Sequence, residues 1–111
     1  MMRDATPLEI DVRSVHDLRT LGEEFVLLDC REPEEHQCVA LAGSLLLPMR
    51  ELPDRVTELE PHRTRPVVVY CHLGRRSARV AAWLREQGFQ ARTMSGGIDL
   101  WAVEIDPTLP R

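Results

Sequence analysis

The sequence predicts an α/β fold built on a mostly parallel sheet. Short apolar runs alternate with segments of helical period along the whole 111-residue chain, and this alternation is the mark of βα units. The connections between these segments are short, as one compact domain spanning residues 1–111 requires. The β-branched run Val67-Val68-Val69-Tyr70 reads as a buried strand, and it leads directly into an amphipathic segment with apolar residues at Val80, Trp83 and Leu84.

The elements follow in order. Leu8 to Val12 is a plausible first strand. Ser14 with Asp17 three residues on resembles a capping box, and Val15, Leu18 and Leu21 then share a face. Gly22 suits the position that ends this helix. Phe25 to Leu28 is the second strand, ending at Asp29. Pro33 presets φ for a short helix over Glu34 to about Val39, and Gly43 breaks it before a brief strand at Leu45–Leu47. Pro53 starts another helix, with Leu52, Val56 and Leu59 on one side, and Pro61 ends it. Val67 to Tyr70 is the fourth strand. The helix after it stops near Gly88, and Gln90 to Met94 forms the fifth strand. Gly96-Gly97 turns the chain into a last amphipathic segment carrying Ile98, Trp101 and Ile105.

Composition narrows the function. Apolar residues make up 43% and charged residues 29%, as in ordinary soluble domains. A net charge of -4 argues against a nucleic-acid partner, which selects basic surfaces. No apolar run approaches the ~18 residues of a membrane helix. The start, Met1-Met2-Arg3-Asp4, lacks the apolar stretch of a signal peptide. Three cysteines, an odd number without framework spacing, point to reduced thiols and a cytoplasmic setting. His16, His36 and His62 have no ligand spacing, so no metal is expected.

Chemistry concentrates in the loop Cys71-His72-Leu73-Gly74-Arg75-Arg76-Ser77. A chain turning there from a parallel strand into a helix points N–H groups, and the positive end of the helix dipole, at the loop centre. A thiol held there shifts from its usual pKa of ~8.5 toward the range of roughly 3.5–7.5, and the thiolate is the nucleophile. In open parallel sheets, ligands bind beyond the carboxyl ends of the strands. Asp29, Cys71 and Ser95-Gly96-Gly97 all fall there.

Three stretches in this order resemble the rhodanese family of sulfurtransferases in its single-domain form. They are Asp29-Cys30-Arg31-Glu32-Pro33-Glu34-Glu35 with Ala42-Gly43 and Pro48 after it, the Cys71–Ser77 loop, and Gly96-Gly97-Ile98-Asp99-Leu100-Trp101 near Asp106-Pro107. The match runs from about Leu8 to Arg111. It departs at Val39-Ala40-Leu41, where members often carry Gly-His-Ile, and at His36, where a phenylalanine is common. Both departures fall in the short helix region and bear on packing and partner choice.

The resemblance implies a rhodanese-like fold, with a five-stranded mostly parallel sheet flanked by helices on both faces. It also implies sulfur transfer through a Cys71 persulfide, with no cofactor and by ping-pong chemistry. The donor would be thiosulfate or a protein carrying a persulfide, and the acceptor a thiol or cyanide. The loop N–H groups from His72 to Arg76 would cradle the anion. Gly74 leaves that cradle uncrowded, Arg75 meets the anionic donor, and Arg76 braces the loop. Leu73 and Ser77 complete the binding loop, His72 is a candidate for substrate contact, and Asp29 and Arg31 shape the wall through an ion pair.

Two other readings stand beside this one. Phosphatases and arsenate reductases of related fold place one more residue between cysteine and arginine. Here four residues, His72 to Arg75, make a smaller cradle that suits a single sulfur. A non-catalytic binding module is the other reading, although such members commonly lack the cysteine that this chain keeps. Cys30 and Cys38 read as inert small hydrophobes, with a position for Cys30 close to the site, as a resolving thiol, as the alternative. Trp83 and Trp101 read as core, and Glu32, Glu34 and Glu35 as a solvated helix start.

Overall fold

The computed structural model describes residues 6–111, so the reading of Met1 to Asp4 lies outside the described residues. Five strands form one sheet: β1 (Glu9–Ile10), β2 (Val26–Asp29), β3 (Leu45–Leu46), β4 (Pro66–Tyr70) and β5 (Gln90–Met94). Their order is β1-β5-β4-β2-β3 and every pairing is parallel. The helices are α1 (Val12–Thr20), α2 (Pro33–Cys38), α3 (Leu52–Arg55), α4 (Arg75–Glu86) and α5 (Gly97–Glu104).

β4 lies at the centre. Val67, Val68, Val69 and Tyr70 are all buried, which is why the strand reads as a continuous apolar run and does not alternate. Strand alternation divides its side chains between two cores. Val67, Val69 and Cys71 join Leu28, Cys30, Leu52, Leu59, Val80 and Leu84 on the side of α3 and α4. Val68 and Tyr70 join Leu27, Val12, Val15, Ile98 and Trp101 on the side of α1 and α5. Helices therefore cover both faces, and burial of these apolar side chains, each contributing roughly 1.5–3 kcal/mol, is the main source of stability.

The strand order sets the position of the site. From β2 the chain moves outward to β3, and from β4 it moves the other way to β5. The loops after these neighbouring strands diverge and leave a crevice at their carboxyl ends, the switch point where open α/β sheets bind ligands.

Several boundaries differ from expectation. The first strand is only Glu9–Ile10, because Asp11 caps α1 by accepting the Ser14 N–H at 2.7 Å. This replaces the expected Ser14–Asp17 box. Asp11 is the residue in extended geometry with a free carboxylate, and such a cap contributes about 1 kcal/mol. Leu21 is 73% exposed and lies outside the core stripe. Pro61 does not end its helix. The segment is α-helical only through Arg55, and Pro61 sits within a 3₁₀ stretch over Val56–His62.

Candidate active site

Cys71 follows the last residue of β4, and its side chain continues the inward row of Val67 and Val69 toward α4. The chain then turns through Gly74, in left-handed geometry at φ 103, to start α4 at Arg75. Only glycine fits here. A Cβ on Gly74 would stand 3.1 Å from the backbone nitrogen of Gly96 as well as strain the backbone.

The turn folds the loop around the sulfur. Cys71 Sγ accepts the Gly74 N–H at 3.1 Å and the Ser77 N–H at 3.3 Å, and Ser77 Oγ lies 3.4 Å away. Ser77 is itself fixed by Thr93 Oγ1 of β5 at 2.7 Å. Hydrogen bonding with Cys30, joined by the bonds from Ser77 and Gly74, outweighs burial and lowers the Cys71 thiol to a pKa of about 4. These contacts favour the thiolate form of Cys71.

The donors face the sulfur because the loop's carbonyls are held elsewhere. The first turn of α5 supplies the Ile98 N–H to the Cys71 carbonyl at 2.9 Å and the Asp99 N–H to the His72 carbonyl at 3.1 Å. That contact requires Gly97, whose added Cβ would lie 2.6 Å from the Cys71 oxygen and closer still to the His72 oxygen. The Gly96-Gly97 pair thus does more than turn the chain: it docks α5 against the back of the loop.

The two loop arginines differ. Arg76 forms a bidentate pair with Glu35 of α2 at 2.8 and 2.9 Å, tying the start of α4 to the neighbouring wall. This pairing lowers Glu35 to a pKa of about 2. Arg75 is exposed and enters no ion pair among the described residues. Leu73 is exposed at the loop tip. His72 is about half exposed, with Nε2 3.8 Å from Asp99, a carboxylate that also holds Arg111 at 3.0 and 3.1 Å.

Asp29 and Arg31 form the wall's buried ion pair. Arg31 donates to both Asp29 oxygens at 2.9 and 2.8 Å, and to the Val39 carbonyl at 2.6 Å. Tyr70 donates to Asp29 at 3.2 Å, and His36 Nδ1 stands 2.8 Å from the same oxygen. Burial opposes the charge on Asp29, but its partners prevail and hold its carboxyl below the usual range. Beside this wall lies a cavity of about 160 Å³, lined by residues including Arg31, Glu35, Cys38, His72 and Asp99.

Three participants escape the sequence reading. Glu35 belongs to an acidic run that reads as solvated, yet it caps α2 by accepting the Glu32 N–H and binds Arg76. Its spacing from Glu32, three residues, was the available signal. His36 and Thr93 carry no sequence signal, because each meets its partner through the fold.

Comparison with known proteins agrees with this architecture. The profile of the Rhodanese-like domain matches residues 11–104. A protein named Sulfurtransferase from Allochromatium vinosum is 36% identical over 95 residues, covering 85% of this chain and 87% of its own length. The Rhodanese-like/PpiC domain-containing protein 12 of Arabidopsis thaliana, described as chloroplastic, is 36% identical over 93 residues, or 79% of this chain, which spans only 30% of that longer protein. The crystal structure of a rhodanese-related protein from Thermoplasma volcanium superposes with a TM-score of 0.77 at 28% identity, covering 92% of this chain and 94% of its own. With its parallel five-stranded sheet, its cysteine loop and these matches, the chain belongs to the rhodanese-like domain family.

Proposed function

We propose that this chain is a sulfurtransferase that carries sulfane sulfur on Cys71. The observation that carries the reading is a buried cysteine sulfur receiving two backbone N–H bonds inside a loop whose carbonyls are tied away from it. Such a site stabilises a sulfur anion and supplies the nucleophile without a separate base. Kinship with a protein named Sulfurtransferase supports the same reading.

In the first half-reaction the Cys71 thiolate attacks the outer sulfur of thiosulfate. A new S–S bond forms, the bond to the sulfonate sulfur breaks with its electron pair, and sulfite leaves. The charge now rests on the outer sulfur of a Cys71 persulfide. In the second half-reaction a thiol or cyanide attacks that outer sulfur, and the thiolate returns. A protein persulfide would serve as donor in the same way. Arg75, exposed and in no ion pair among the described residues, would meet an anionic donor, while Arg76, committed to Glu35, would brace the loop. The three free thiols suit a reducing compartment such as the cytoplasm.

Intact-protein mass spectrometry after thiosulfate treatment and desalting tests this. Wild type should gain one sulfur that cyanide removes, and Cys71→Ser should gain none. No uptake from thiosulfate or from any persulfide donor would leave a binding module whose cysteine loop is idle.

A further inference from the structure

Cys30 stands beside Cys71. In the pairing of β2 with β4, Asp29 is opposite Tyr70, so the next residues on the two strands are Cys30 and Cys71. The parallel ladder continues one step to place them, with the Cys30 N–H donating to the Tyr70 carbonyl at 3.1 Å. Neighbouring parallel strands lie about 4.8 Å apart, inside the roughly 4.4–6.8 Å between Cα atoms that a disulfide spans. Alternation puts both side chains on the α4 face, where both are buried in one apolar cluster with Leu28, Leu47 and Val69. The Cys30 thiol donates at 3.5 Å to the carbonyl of Tyr70, the residue just before Cys71. Nothing in the sulfur-transfer cycle uses the second thiol.

We propose that Cys30 is a resolving thiol that attacks the inner sulfur of the Cys71 persulfide and releases the outer sulfur as hydrosulfide. The step rests on the persulfide chemistry proposed above and names, within the chain, the group that discharges the persulfide. A bond forms between the Cys30 and Cys71 sulfurs, and the bond from Cys71 Sγ to the outer sulfur breaks. Its electron pair leaves with the outer sulfur, which takes the Cys30 proton. The sulfane sulfur is reduced to hydrosulfide, and the two protein sulfurs are oxidised to a disulfide. A dithiol reductant then restores both thiols by exchange. The approach suits displacement, because Cys30 lies in the core beside Cys71 while the Gly74 and Ser77 donors sit on the loop. Cys30 also keeps its proton available. Beside the resting Cys71 thiolate, that neighbour and burial hold the Cys30 thiol well above the ordinary range. In the persulfide the inner sulfur is neutral, and the Cys30 proton passes to the anionic outer sulfur, so that the Cys30 thiolate attacks and hydrosulfide leaves.

The test uses the full chain carrying Cys38→Ser, so that only the two neighbouring thiols remain, alongside the same chain with Cys30→Ser or Cys30→Ala. Each is loaded with thiosulfate, desalted, and followed by intact mass and sulfide release with no acceptor added. The chain retaining Cys30 should gain one sulfur, then lose it together with two hydrogens as sulfide appears in equal amount. The Cys30 variants should take up sulfur and hold it at least about tenfold longer, since they lack the intramolecular attack. Equal persulfide lifetimes with no disulfide overturn the resolving role and leave the transferase reading standing. Absence of sulfur uptake in all three chains overturns the transferase reading, and this step with it.

Discussion

At the residue scale, the chemistry depends on a thiol kept ionised inside the protein. Burial alone would raise its pKa, as it does for most interior thiols. Here the hydrogen bonds from Cys30, Ser77 and Gly74 prevail, and the value falls to about 4. The consequence for pH dependence has a definite sign. Lowering pH protonates the thiolate, so reactivity should be flat from neutral pH down to roughly pH 5 and should fall through pH 4. Alkylation of Cys71 by iodoacetamide in the Cys38→Ser chain, read by peptide mass and followed against pH, checks this with the fold monitored by circular dichroism; a Cys30→Ala, Cys38→Ser chain is the comparison. Because that chain lacks the Cys30 hydrogen bond, its midpoint should lie above the native one while staying below that of an ordinary thiol. A midpoint at the ordinary thiol value would mean that the loop N–H groups contribute nothing.

At the element scale, three segments hold the loop. β4 delivers Cys71, α4 supplies the Ser77 N–H, and the first turn of α5 takes up the carbonyls of Cys71 and His72. The joint between α5 and the loop is a close backbone approach at Gly97, whose φ of 65 also favours glycine. Gly97→Ala should therefore both strain its own backbone and push the loop off α5. The expected loss of stability is about 2–4 kcal/mol, read by urea unfolding. Sulfur uptake by the folded fraction should fall as well, because the N–H groups lose their aim. Gly43→Ala is the comparison: its φ is also positive, but an added Cβ there meets nothing within 4 Å, and the residue precedes β3, whose carboxyl end faces the crevice. It should lower stability by a smaller amount and leave sulfur uptake intact.

At the scale of the whole molecule, the crevice is closed by charge pairs that bridge elements distant in sequence. Glu35 on α2 holds Arg76 on α4, 41 residues away, and Asp29 gathers Arg31, His36 and Tyr70. Both carboxyls titrate below their ordinary values in the folded chain, Glu35 at about 2. A carboxyl with a depressed folded pKa stabilises the protein above its unfolded pKa, and that stability is lost as pH falls toward the folded value. Thermal stability should therefore decline between about pH 4.5 and pH 2. Glu35→Gln should flatten that decline and cost roughly 1 kcal/mol at pH 7, a modest value because the pair is partly solvated. Melting temperature measured against pH for both chains checks it, and parallel profiles would remove Glu35 from the account.

The sequence alone determined the order of strands and helices, the buried character of β4, and the cysteine loop with its glycine and arginines. These are local matters of periodicity, turn residues and spacing, and they are written within a few residues of one another. It also carried the family resemblance, since the three motifs stand in order along the chain. Helix starts were less legible. Asp11 and Ser14 are both good caps, and packing of Val12 and Val15 into the core chose between them. Only the tertiary structure decided the rest. The partnership of Glu35 with Arg76, the seat of His36 on Asp29, the support of Ser77 by Thr93 and the meeting of Cys30 with Cys71 all join residues from different elements. Such contacts follow from which strands lie side by side, and strand order is set by the global packing of two cores on one sheet, which no local stretch of sequence encodes.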